Sequence, residues 1–162
     1  MVAGCADQPQ ISMPNKLSIW WRSLRAYSLP MTILPVLCAF LYARALGETV
    51  QWTLFPLMLL SGVFLHAGTN VLNDYYDYTL GFDTDEASGS SGVIQKHLVP
   101  EKYMLTRGWL YLATGCIAGI LLVWLRGIPL LFMGVAGGCG AYFYSHPKGY
   151  KYKGLGEPAV FL

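Results

Sequence analysis

Residues 52–83 read WTLFPLMLLSGVFLHAGTNVLNDYYDYTLGFD, and the fold is decided by how this stretch divides. From about Trp52 to Leu72 it holds no Asp, Glu, Lys or Arg. That is the length and polarity a helix needs to cross a hydrocarbon core of about 30 Å. The remainder turns acidic, with Asp74, Asp77 and Asp83. Carboxylates are costly at the edge of a bilayer core, so an acidic cluster there marks a functional site. On a helix, Asn70, Asp74 and Asp77 fall at i, i+4 and i+7, and Asn73 and Asp77 at i, i+4. Two amides and two carboxylates therefore share one helical face. Packing has no use for such a face, whereas a hard divalent cation does.

Outward from this stretch the apolar pattern repeats. Further runs predict spans at about 29–46, 106–125 and 128–145, the last short and glycine-rich. The expected fold is an all-α membrane protein with four transmembrane helices, rather than a soluble all-helical core. Among 162 residues, 54% are hydrophobic and only 12% charged, outside the usual soluble range. The basic residues alternate with the spans. Lys16, Arg22, Arg25, Lys96, Lys102, Arg107, Lys148, Lys151 and Lys153 fall on one side, with Arg44 and Arg126 on the other. The positive-inside rule puts the N-terminus and the acidic motif on the cytoplasmic side of a multi-pass membrane protein. A net charge of +2 argues for no nucleic-acid partner.

The flanks add detail. Residues 17–27, LSIWWRSLRAY, mix Trp20 and Trp21 with Arg22 and Arg25 and suit a helix lying at the membrane interface. Pro30 and Pro35 predict a kink in the first span. The first fifteen residues show no basic-then-apolar pattern of a signal peptide. Cys5, Cys38, Cys116 and Cys139 are scattered without a CxxC, so inert buried thiols are expected. Between the second and third spans lies an acidic loop, 73–104, containing Asp85, Glu86 and the run SGSSG at 88–92. That run suits either main-chain amides wrapped around a phosphate or a flexible linker. At the end, residues 158–162, PAVFL, read as the start of a fifth span, so the chain is expected to be truncated, the N-terminal part of a longer domain.

The acidic cluster suits Mg2+, which is held by one or two carboxylates plus substrate phosphate oxygens and keeps several waters. Asp74, Asp77 and Asp83, supported by Asn73 and Asn70, supply such ligands. An EF-hand fails, because counting from Asp83 puts Ser88 at the sixth position and Ile94 at the twelfth. Zinc is poorly served by the isolated His66, His97 and His146. Lys148, Lys151, Lys153 and Arg25 lie on the same predicted side as the aspartates, which points to a phosphate or diphosphate substrate. For Lys151 and Lys153 ordinary positive-inside topology is the favoured account. Tyr75, Tyr76, Tyr78, Tyr142 and Tyr144 read as an interfacial aromatic belt or as a wall facing a carbocation.

The run Asn73-Asp74-Tyr-Tyr-Asp77, followed by Gly81-Phe-Asp83 at the end of a span, resembles the first aspartate-rich motif, NDxxDxxxD, of the UbiA superfamily of intramembrane prenyltransferases. The chain departs from that pattern, since Gly81 stands where the last acid belongs and Asp83 follows two residues later. This form is similar to the branch that prenylates 1,4-dihydroxy-2-naphthoate in menaquinone biosynthesis. The loop from Asp83 to Gln95, the Tyr144-to-Lys148 element (YxxxK) and Lys151 to Glu157 are similar to it as well. The resemblance implies the first half of a nine-helix bundle, with a second aspartate-rich motif in a missing C-terminal half. It implies a polyprenyl diphosphate donor, an aromatic acceptor and a lipid bilayer as partners. It also implies that Mg2+ is held by Asp74, Asp77 and Asp83, and that Asp74, Asp77, Lys148 and Tyr144 are catalytic. Asn70, Asn73, Arg25, Asp83 and Gln95 would contact substrate. Alternatives are a superfamily member with another acceptor (4-hydroxybenzoate, haem, homogentisate or a glycerol phosphate lipid) and a non-catalytic ion-binding helix bundle.

Overall fold

The computed structural model describes residues 15–83, 90–146, 148–149 and 151–154. Among them the regular elements are all helical. In chain order they are α1 (Lys16–Ser23), α2 (Pro30–Ala45), α3 (Phe55–Thr79), α4 (Glu101–Arg126) and α5 (Ile128–Ser145). Short 3-10 turns occupy Ala26–Ser28, Trp52–Leu54 and Lys151–Lys153. Among the described residues, three helical segments are long and apolar enough to cross a membrane: Ala26–Ala45, Trp52–Thr79 and Glu101–Arg126. α5 is apolar too, but falls in a shorter class.

Each boundary has a local cause. Asn15 caps α1 by accepting the Ser18 amide at 2.7 Å. The helix stops at Arg25, whose φ of 51° and ψ of 52° place it in the left-handed region. Pro30 opens α2, where its missing N–H costs nothing. Pro35 lies inside the same helix, where it removes a donor from the ladder. α3 runs past Leu72 to Thr79, so Asn73, Asp74 and Asp77 are helical rather than part of the loop. It closes at Gly81, whose φ of 76° suits glycine. The Phe82 and Asp83 amides then turn back onto the Asp77 carbonyl at 2.9 and 3.2 Å.

α3 and α4 form the most extensive helix pair. Their contact is made of glycines facing leucines: Gly68 against Leu112, Gly108 against Leu72, and Gly115 against Leu65. A methyl group on any of the three would come within 2.8 Å of its leucine. Small residues let membrane helices approach this closely, which is where their dispersion energy comes from. Ser61 adds a hydrogen bond across the pair, to the Gly115 carbonyl at 2.9 Å.

The buried core lies at the acidic end of the bundle, where Leu24, Ala67, Val71, Met104 and Tyr111 enclose Val93 and Ile94 from the loop. Elsewhere, apart from a few buried positions such as Phe40, Ala118 and Leu122, large apolar side chains face outward, among them Ile117, Trp124, Phe132 and Met133, as lipid-facing surfaces do. The cysteines follow suit. Cys38, Cys116 and Cys139 are free and exposed on helix surfaces, not buried as their sequence positions suggested. In a bilayer an apolar thiol needs no protein cover, so lipid substitutes for a core. Cys5 lies outside the described residues, as do Asp85, Glu86, Ser88 and Gly89 of the loop.

Candidate active site

The polar face of α3 is set by helical spacing and completed by three other segments. Asp74 and Asp77 are buried, 2% and 5% exposed. A buried carboxylate needs a cation or donors to replace its water. Each has found a cation from a different part of the chain.

Asp74 pairs with the Arg25 guanidinium. Its second oxygen accepts the Ser91 amide at 3.3 Å. The left-handed backbone at Arg25 is what ends α1 and turns its side chain toward α3. Arg25 Nε, buried, has no hydrogen-bond partner among the described residues.

Asp77 is held by Lys151, whose Nζ lies 2.6 Å from both carboxylate oxygens. The same ammonium donates to the Asn73 Oδ1 at 2.8 Å. Asn73 in turn donates to Asp77 at 2.7 Å, the i, i+4 contact expected from spacing. Lys151 Nζ also stands 5.5 Å from the Tyr144 ring centre, a cation–π distance. Thus Asn73, Asp77, Tyr144 and Lys151 form one cluster.

Asn70 points the other way. It donates to the Leu24 carbonyl at 3.3 Å and to the Ser28 hydroxyl at 3.0 Å, tying α3 to the segment around Arg25. Asp83 accepts from Gln95 at 3.1 Å, and Gln95 also donates to Ser90 at 3.0 Å. From Ser90 onward the loop is therefore anchored. Val93 and Ile94 are 0% and 3% exposed, which a flexible linker would not bury. Lys148 has an exposed side chain, and its backbone amide donates to His146 Nδ1 at 3.2 Å.

Sequence reasoning weighed Lys151 mainly as a topology charge, whereas it is the lysine that reaches the aspartates. Ser91 was also missed as an individual donor. No local signal marks either contact. Lys151 is 78 residues from Asn73, and only the tertiary fold brings them together.

Among the described residues no three His, Cys, Asp or Glu side chains converge as a metal site. The donor chemistry still fits a hard cation. Asp74, Asp77 and Asn73 offer oxygen ligands, and both buried carboxylates already attract positive charge. Beside this face, α3, α4 and α5 leave an apolar cleft of about 160 Å³, lined by Leu72, Trp109 and Leu112 together with Tyr76, Tyr142 and His146.

Comparison with known proteins gives a consistent answer. A family profile described as "UbiA prenyltransferase family" matches residues 32–162. A 1,4-dihydroxy-2-naphthoate octaprenyltransferase of Mycobacterium tuberculosis is 34% identical over 144 residues, covering 88% of this chain and 49% of that protein. The protein of the same name from Bacillus subtilis is 29% identical over 152 residues, 89% of this chain and 49% of its own length. UbiA prenyltransferase domain-containing protein 1 of Danio rerio is 24% identical over 160 residues, 97% of this chain and 47% of its own. The chain spans about half the length of these curated relatives. No solved structure matches it significantly. The aspartate motif, the apolar helices and the profile match together establish that the chain belongs to the UbiA prenyltransferase family.

Proposed function

We propose that this chain is the donor-binding part of a membrane prenyltransferase that moves a polyprenyl group from its diphosphate to 1,4-dihydroxy-2-naphthoate. The observation that carries this reading is the pair of buried carboxylates on α3, each covered by a cation from another segment. Such a face concentrates both signs of charge at the end of an apolar bundle, which is what an amphipathic diphosphate requires. The acceptor is supported by the relatives named for that naphthoate.

Mg2+ held by Asp74 and Asp77 with Asn73, the sequence-expected Asp83 not converging with them, would neutralise the diphosphate and make it a better leaving group. The side chains around it do the rest. Arg25 and Lys151 meet the diphosphate oxygens as a second anionic partner, and Tyr144 donates a hydrogen bond beside them, with the exposed Lys148, just past α5, adding positive charge nearby. Donors aimed at developing negative charge lower the barrier to ionisation. The allylic C–O bond breaks with its electron pair leaving on the diphosphate. The allylic carbon is then attacked by the electron-rich ring, at the carbon that carries the carboxylate, and that carbon loses carbon dioxide. Asn70, Asn73 and Gln95 hold the polar face in register, and the apolar cleft offers room for the first isoprene units.

The test is prenyl transfer in membranes, with labelled prenyl diphosphate and dihydroxynaphthoate, with and without Mg2+. Asp77→Asn removes the charge and keeps the shape. It is expected to lower transfer by about 10²-fold or more, the usual scale for losing one group that stabilises transition-state charge. Equal transfer by Asp77→Asn and the unaltered protein would overturn the site. Product with a different aromatic acceptor alone would overturn the naphthoate assignment and keep the donor site.

A further inference from the structure

His66 is the one ionisable side chain between Trp52 and Asn73, and the chemistry above makes no use of it. An ionisable group inside a span calls for a partner or a role. Its partners are two hydroxyls from the segment that follows Arg25. Nε2 lies 2.9 Å from Ser28 Oγ, and Nδ1 lies 2.6 Å from Thr32 Oγ1.

Proton accounting fixes the direction of these bonds. A serine hydroxyl has one proton to give and two positions to accept. Ser28 Oγ gives its proton to the Arg25 carbonyl at 2.8 Å and accepts from Asn70 at 3.0 Å. Toward His66 it can therefore only accept, so Nε2 carries the proton. In the neutral ring Nδ1 then accepts from Thr32. Every position on Ser28 is filled, and two of its three partners come from α3.

Ser28 is also what grips the turn at Arg25. Its backbone amide and its hydroxyl both donate to the Arg25 carbonyl, each at 2.8 Å. Arg25 has the left-handed backbone that a residue with a side chain rarely adopts, and the turn needs such a clamp. We propose that His66 is a positioning residue that acts through Ser28 to hold the Arg25 turn, so that the Arg25 guanidinium meets Asp74. The role deepens the diphosphate-site reading and rests on it for its catalytic consequence.

The experiment uses membranes containing the protein as its gene encodes it, with His66→Leu, His66→Gln and Ser28→Ala. Glutamine keeps an N–H donor near the Nε2 position, whereas leucine keeps only bulk. Two readouts are taken. The first is the rate at which phenylglyoxal modifies Arg25, followed by mass spectrometry of its peptide; this needs no activity. His66→Leu and Ser28→Ala should each speed it severalfold, and His66→Gln should restore most of the protection. The second is the KM for the prenyl diphosphate, expected to rise on the order of tenfold in His66→Leu with the acceptor KM unchanged, the scale of one lost hydrogen bond. His66→Leu added to Ser28→Ala should have no further effect on either readout. Additive effects, unchanged Arg25 protection, or His66→Gln as damaged as His66→Leu would overturn the proposal. If the unaltered protein transfers no prenyl group, the functional reading fails, while the phenylglyoxal rates still decide whether His66 holds Arg25.

Discussion

The Lys151 ammonium reaches both Asp77 oxygens and the Asn73 amide oxygen, while the Lys148 side chain stands exposed. Removing Lys151 leaves a carboxylate that is 5% exposed without that cation, and removes a positive group from the proposed diphosphate site. Lys151→Ala is therefore expected to lower kcat/KM for the prenyl diphosphate by about 10²-fold. Lys148→Ala should do much less, because its side chain makes no such contact. Prenyl transfer assayed side by side in membranes checks this ranking, and the reverse order would move the diphosphate contact to the Tyr144-to-Lys148 element. The acidic face itself was visible in the sequence because helical spacing is a local property, and Asn73 does bond Asp77 across one turn. Which cation covers which acid was not visible. Basic residues crowd one end of the spans, so a lysine there carries little information until the chain is folded. The substitution of Gly81 for an acid also has a local physical cause: the residue sits at φ of 76°, where a side chain would be strained.

At the level of elements, the glycines of α3 and α4 do more than shorten side chains. A methyl group at Gly108 would lie 2.6 Å from Leu72 Cδ2, and Leu72 is itself 5% exposed with little room to turn. Gly108→Ala should cost about 1–3 kcal/mol, the usual range for overpacking. Gly134→Ala on α5 is the control, since nothing lies within 4 Å of its added methyl. Thermal unfolding in detergent should show a lowered midpoint for the first and no loss for the second. Equal midpoints would mean that the α3–α4 contact is looser than the glycine–leucine pairing requires. The spans were legible because lipid demands long apolar runs. Their ends were less so. A fall in hydropathy at Asn73 suggests the end of a span, yet the backbone ladder continues to Thr79 and stops only where Gly81 permits the turn. Polarity reports where lipid ends, and backbone chemistry reports where the helix ends.

The whole molecule combines an acidic end with a lipid-facing body, and its charge pattern predicts an orientation that labelling can test. Nine of the eleven Lys and Arg residues lie at the ends of the spans that carry Asp74 and Asp77, with Arg44 and Arg126 at the opposite ends. Moving several cations across a bilayer is costly, so the basic end should face the cytoplasm. Glu48, between the first and second spans, and Lys102, at the start of α4, are both exposed, and the charge pattern predicts that they fall on opposite sides. Cysteine placed at one of these positions, in a chain otherwise free of Cys5, Cys38, Cys116 and Cys139, reports the side directly. A membrane-impermeant maleimide added to intact cells should label Glu48→Cys and spare Lys102→Cys until the membrane is opened. Labelling of Lys102→Cys from outside would invert the bundle and place the proposed diphosphate site away from cytoplasmic Mg2+ and donor. Labelling of neither would mean that Glu48 does not reach the outer surface, and that the segment Ala26–Ala45 enters the bilayer without crossing it.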